Sequence, residues 1–131
     1  MYNKVILIGR LTNQPELIVT STSKSICRAT MAVNRRYKSA QGEREADFIT
    51  LVVWEKLAES LASYGTKGSL LSVDGELRTR TYEKEGKRHY VTEVVVQSYQ
   101  LLESRAQRAM RGNNAMADLS DLVLETEELP F

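Results

Sequence analysis

Along the first hundred residues the apolar positions mostly recur every second residue, the spacing of half-buried strands, and one stretch recurs every third or fourth. Val5-Ile6-Leu7-Ile8 opens a strand over Lys4 to Leu11, where the interior Gly9 predicts a bulge or sharp bend. Asn13 to Glu16 reads as a turn, Leu17 to Val19 as a short strand, and the Ser/Thr-rich stretch to Ser25 as a hairpin loop. From Ile26 to Asn34, Cys27, Ala29, Met31 and Val33 face one way and Arg28, Thr30 and Asn34 the other. Arg35 to Glu45 reads as a long, basic, exposed hairpin loop.

The strand Ala46 to Trp54 puts Ile49, Leu51 and Val53 on one face and Phe48, Thr50, Val52 and Trp54 on the other. Both faces are apolar, and only one is aromatic. Leu57, Leu61 and Tyr64 then set a helix over Glu55 to Tyr64, with Gly65 as its stop. A strand from Leu70 to Tyr82 sends Leu71, Val73, Gly75 and Leu77 inward, and Arg78, Arg80 and Tyr82 share the opposite face. A turn at Gly86 leads to the last strand, Arg88 to Gln97. The expected fold is all-β: a five-stranded OB barrel with one helix between strands 3 and 4.

Beyond Leu102 the pattern fails. Residues 1–104 form the expected domain, 105–117 a short polar linker, and 118–131 an acidic tail expected to be disordered when free. Charge sharpens this division. Residues 1–104 hold 15 Lys and Arg against 12 Asp and Glu, the linker adds three arginines, and the tail holds five acids and no base. A basic body with an acidic tail suggests a polyanion partner for the body and partner recruitment by the tail. The chain closes on Glu127-Glu128-Leu129-Pro130-Phe131, an acidic lead into an apolar tip that pairs an aromatic ring with the free α-carboxylate. A partner pocket with a basic rim would bind such a peptide.

A single cysteine, Cys27, excludes an intrachain disulfide and favours a reducing compartment. No signal-peptide pattern opens the chain and no apolar run approaches a membrane span, so a cytoplasmic protein without a membrane partner is expected.

The residues best placed to carry chemistry are Tyr37, Phe48, Trp54 and Tyr82, each next to or among basic side chains. The accompanying cations are Lys4, Arg10, Arg28, Arg35, Arg36, Lys38, Lys56, Arg78 and Arg80. Aromatic rings stack bases and cations track phosphates, a combination that favours single strands because paired bases hide their faces. The competing reading of a strand aromatic is ordinary core packing. It is the better one for Tyr2, Tyr64, Tyr90 and Tyr99, whereas Phe48 and Trp54 lie opposite the core face and Tyr82 shares its face with two arginines.

An enzyme would have to draw on Asp47, Asp74, Glu76 and Glu93, whose spacing matches no catalytic or metal motif. His89 and Cys27 are too few ligands for a zinc site, and Lys67-Gly68-Ser69 has the wrong order for a phosphate loop. His89 reads as an exposed residue beside a turn and Cys27 as a small buried one. No catalytic residue, metal or cofactor is expected. Two binding alternatives stay open on residues alone: a scaffold acting through its tail, and an RNA-binding OB module.

Several stretches together resemble the bacterial single-stranded DNA-binding protein (SSB) family. They are Asn3 to Leu11, Pro15-Glu16-Leu17, Val33 to Tyr37, Phe48-Ile49, Val53 to Glu59, Lys67-Gly68-Ser69, Asp74 to Arg80, Tyr90 to Val94 and the Leu129-Pro130-Phe131 end. The short linker and the glutamate lead-in resemble the short accessory paralogue of naturally transformable Gram-positive bacteria. The resemblance implies an OB-fold homotetramer that binds and protects single-stranded DNA. It places the stacking aromatics on Tyr37, Phe48, Trp54 and Tyr82, and the recruitment of replication, recombination and repair proteins on Leu129 to Phe131. It decides for DNA over RNA, and leaves replication and competence as the two settings for that role.

Overall fold

The computed structural model describes residues 1–103; the linker and acidic tail expected beyond them lie outside the described residues. Six strands and one helix follow in the order β1 (Val5–Leu11), β2 (Glu16–Val19), β3 (Ser25–Lys38), β4 (Arg44–Trp54), α1 (Glu55–Tyr64), β5 (Leu70–Lys84) and β6 (Lys87–Leu101). Strands β1, β5, β6, β4 and β3 are hydrogen-bonded in that order, and β1 closes the ring onto β3 through Arg10 and Leu11. Only the β4–β6 pairing is parallel. The result is the expected closed five-stranded OB barrel, with β2 added to β3 as a short extra strand.

The alternation read from the sequence builds the core. Leu11, Met31, Leu51, Val53, Leu71, Val73 and Val94 turn inward and are fully buried. Helix α1 has the predicted bounds and packs Ala58 and Leu61 into the same core. Its Ser60 hydroxyl lies 2.6 Å from the Tyr99 hydroxyl, so the partly buried Tyr99 ring joins the packing.

Two glycines allow strands to come close. A Cβ on Gly9 would sit 2.3 Å from the Ala32 carbonyl oxygen, and one on Gly75 would sit 2.3 Å from that of Val95. Gly9 therefore marks a close backbone approach where β1 passes from β5 to β3, and its register with β5 runs without a bulge. The register shift lies instead at Asp74/Gly75, where Gly75 faces Val96 and Asp74 faces Ser98. Gly65 does end the helix, at a φ of −84° that any residue adopts. Glycine suits the position because a Cβ would press on the Leu61 carbonyl and the Pro15 ring.

Several expectations change. Residues 35–38 are the end of β3, and β4 begins at Arg44, so the connecting loop is only 39–43. A register shift between Asn34 and Lys38 breaks the alternation there, which gave the stretch its loop-like appearance. Strands β5 and β6 likewise continue past their expected ends to a tight turn at Glu85-Gly86, both with positive φ, 55° and 77°. This long hairpin runs beyond the barrel, so Leu77 keeps its inward parity yet is exposed. Tyr2, Tyr64 and Tyr90, expected to pack as ordinary core or cross-strand rings, are exposed as well, and of that set Tyr99 alone packs against the core.

Candidate nucleic-acid interface

The outer face of β4 carries Phe48, Thr50, Val52 and Trp54, and strand pairing extends it sideways. On β3 the directly opposed residues are Ala32, Thr30, Arg28 and Ile26. On the other side Val52 faces Val95 of β6, whose outward neighbours Glu93, Val91 and His89 face Arg78, Arg80 and Tyr82 of β5. One continuous surface therefore crosses four strands. The period of two that buries Leu51 and Val53 also turns Phe48 and Trp54 outward.

Phe48 is 66% exposed and Trp54 40%. Trp54 ends β4 in extended conformation, and Glu55 follows at a φ of +57°, a strained value for a residue with a side chain, which swings the chain into α1. That sharp turn leaves the indole at the end of the face. Tyr37 is 79% exposed on the extension of β3. Tyr82, 42% exposed, stacks on His89 with ring centroids 5.0 Å apart and planes 17° from parallel, and the Arg80 guanidinium lies 5.7 Å from its ring centre.

The cations divide into four groups. Arg28 and Arg80 both reach Glu93, at 3.3 and 3.0 Å, from opposite sides of the face. Arg35 is held by Glu45 and Asp47, each at 2.8 Å. Arg35's hydrogen bond keeps the Asp47 carboxyl below its usual range, partly opposed by desolvation and reinforced by the Arg35 charge. The same bond, followed by the charges of Asp47 and Glu45, makes Arg35 harder to deprotonate. Lys4 pairs with Asp74 at 2.7 Å and Arg78 with Glu76. Arg36, Lys38 and Lys56 are exposed and form no ion pair among the described residues.

Arg10 does not belong to this surface. It is buried, lies 3.3 Å from Glu103 and donates to the Gly68 carbonyl oxygen at 3.0 Å, so it ties β1 to the chain on either side of β5 and β6. Its partners are distant in sequence, and nothing local separates it from the exposed arginines. Two residues of the face escaped the sequence reading as part of it: His89, stacked on the Tyr82 ring, and Glu93. Counting outward from a two-residue turn at 85–86 would have found both, since it places His89 opposite Tyr82 and Glu93 opposite Arg78.

The four carboxylates an enzyme would need are spread over this network, each against a cation: Asp47 on Arg35, Asp74 on Lys4, Glu76 on Arg78 and Glu93 on Arg28 and Arg80. No group of three or more His, Cys, Asp or Glu is placed to hold a metal among the described residues. Burial pushes the Cys27 thiol up, away from the reactive thiolate, and its side chain packs in the core. Among the described residues no helix is long and apolar enough to cross a membrane.

An outward sheet face with exposed rings between guanidinium groups has the chemistry of a surface that stacks bases and tracks phosphates. The comparisons with known proteins agree with that chemistry. Residues 2–102 match the model of the Single-strand binding protein family. The whole chain is 72% identical over 131 residues to "Single-stranded DNA-binding protein 2" of Streptococcus agalactiae serotype V, with both chains fully covered. It is 68% identical, again over both full lengths, to "Single-stranded DNA-binding protein 1" of Streptococcus pyogenes serotype M6. The "Single-stranded DNA-binding protein" of Streptococcus mutans is 48% identical over 115 residues, 87% of this chain and 70% of that one. With the barrel, its aromatic face and nearly every described residue inside the match, the chain belongs to the single-strand binding protein family.

Proposed function

We propose that this protein binds and protects single-stranded DNA without strong sequence preference, through the outer face of β3, β4, β6 and β5. The observation that carries the reading is the placement of exposed Phe48, Trp54 and Tyr82 on one surface with Arg28, Arg78 and Arg80 between them. Stacking contributes roughly 1 to 3 kcal/mol per base whatever the base, and arginine contacts to phosphate add affinity that falls with salt. Tyr37, Arg36, Lys38 and Lys56 extend the face; Arg35 contributes less because two acids hold it, whereas Lys4 and Arg78 each meet one acid and Arg28 and Arg80 share one. The mechanism is binding, with no covalent step.

The proposal includes a homotetramer. Ile6 is exposed on the outer side of β1, and Tyr2 and Met1, which precede the strand, are exposed too, apolar surface that a second copy would cover. It also includes recruitment of replication, recombination and repair proteins by the tip Leu129-Pro130-Phe131 with its lead-in Glu127 and Glu128. The likeness to the short accessory paralogue extends the proposal to strands taken up in transformation.

Competition against a labelled oligo(dT) complex tests the first claim. Mixed-sequence single strands should displace the label at similar concentrations, and duplex DNA should not. Displacement by oligo(rU) as readily as by oligo(dT) would favour an RNA-binding module instead. Removing Leu129 to Phe131 should leave this competition unchanged while abolishing capture of repair proteins, and retained capture would refute the role of the tip.

A further inference from the structure

On charge alone Glu93 is out of place: an acid at the centre of a face built to meet phosphates. Its side chain is 7% exposed, and each carboxylate oxygen takes a different arginine. Oε2 accepts from Arg28 Nη1 at 3.3 Å and Oε1 accepts from Arg80 Nε at 3.0 Å. The two arginines come from β3 and β5, which are not neighbours, and Arg28 reaches Glu93 past Val52 of β4. Covering a carboxylate costs desolvation, which two cations offset here, and the trio keeps a net charge of +1.

Packing does not require an acid at this position, since the adjacent outward positions on β6 are Val91 and Val95. A guanidinium offers five N–H donors in a rigid planar fork, so a bond at one edge fixes where the others point. Arg80 uses Nε on Glu93, which leaves both terminal nitrogens for another acceptor, and its plane is also steadied against Tyr82. Arg28 uses one terminal nitrogen and leaves the rest of its fork. Both side chains are nearly half exposed, so these remaining donors can meet solvent or a ligand.

We infer that Glu93 is a positioning residue that holds Arg28 and Arg80 as a paired cradle for a backbone phosphate of the bound strand. The cradle lies between the Trp54 end of the face, two residues from Val52, and the Tyr82 end, two residues from Arg80. This rests on the single-strand reading above. Without Glu93 the two guanidiniums would have to be ordered by the strand itself, at a cost in side-chain entropy.

The test is Glu93→Gln in the full-length chain, with affinity for oligo(dT) read by anisotropy of a labelled strand. Affinity should fall by roughly fivefold, the scale of one well-oriented hydrogen bond, although the protein becomes one charge more positive. In an Arg28→Gln/Arg80→Gln background the same change should produce no further loss. Tighter or unchanged binding would overturn the inference and leave Glu93 as a simple repulsive charge. An equal loss in the double-arginine background would also overturn it, because Glu93 would then act through packing. Should Glu93→Gln fail to fold, Arg28→Gln and Arg80→Gln decide the matter: a combined loss smaller than the product of the single losses supports a shared cradle, and independent losses refute it. Failure of the unaltered protein to bind oligo(dT) would instead bring down the single-strand reading itself.

Discussion

Phe48→Ala separates binding from folding. The ring is 66% exposed, stands opposite Ala32 across the β3–β4 pair and is not part of the buried cluster. A fully covered phenylalanine removes on the order of 150 to 250 Å² from water, so the covered third here amounts to about 50 to 80 Å². At about 25 cal/mol per Å² its loss costs about 1 to 2 kcal/mol as an upper bound. A domain with a stability on the order of 5 to 15 kcal/mol stays folded after such a loss. Binding should suffer as much or more, since one lost stack of roughly 1 to 3 kcal/mol weakens Kd by roughly 5- to 150-fold. Trp54, the sole tryptophan, remains in place as the reporter. The assay is a fluorescence titration with oligo(dT) at several salt concentrations, alongside thermal unfolding. Because no charge is removed, the slope of log K against log salt should match that of the unaltered protein. An unchanged Kd would refute the stacking role of Phe48, and a changed slope would show that its contribution is not stacking.

Three further predictions follow from the same geometry. Arg36→Gln and Lys38→Gln should each reduce the salt slope by about 0.7, the value for one single-strand phosphate contact, whereas Arg35→Gln should reduce it less because Glu45 and Asp47 already occupy Arg35. The lowered Asp47 carboxyl means that the Arg35–Asp47 pair contributes fully above the unfolded-state value and is lost as pH falls through the lower folded-state one; an NMR carboxyl titration with a midpoint at or above the ordinary aspartate value would contradict this. Gly75→Ala sets a Cβ against the Val95 carbonyl oxygen at 2.3 Å and should cost about 1 to 3 kcal/mol in chemical denaturation, and a neutral result would show that β5 and β6 can separate there without penalty.

What the sequence made legible is what depends on neighbours along the chain. Alternation on β4 separated Leu51 and Val53 from Phe48 and Trp54, and helical spacing with Gly65 placed α1 at Glu55–Tyr64. What stayed hidden depends on residues far apart in sequence. Arg10 looked like any exposed arginine until Glu103 and Gly68 were brought beside it. Leu77 kept the parity of a core residue, and only the length of the β5–β6 hairpin beyond the barrel explains its exposure. The register shift after Asn34 disguised the end of β3 as a loop. Glu93 is the sharpest case. Its outward position follows from simple alternation, but its two arginines arrive from β3 and β5, so its part in the face emerges only from the closed sheet.

The central claim is that Trp54 lies on a single-strand binding face, and its own fluorescence tests that most directly. Titration with oligo(dT) should quench the emission to saturation, with an affinity that falls as salt rises, and duplex DNA at the same concentrations should leave it unchanged. No quenching by oligo(dT) at low salt, together with no mobility shift, would contradict the claim and remove single-strand binding from this face.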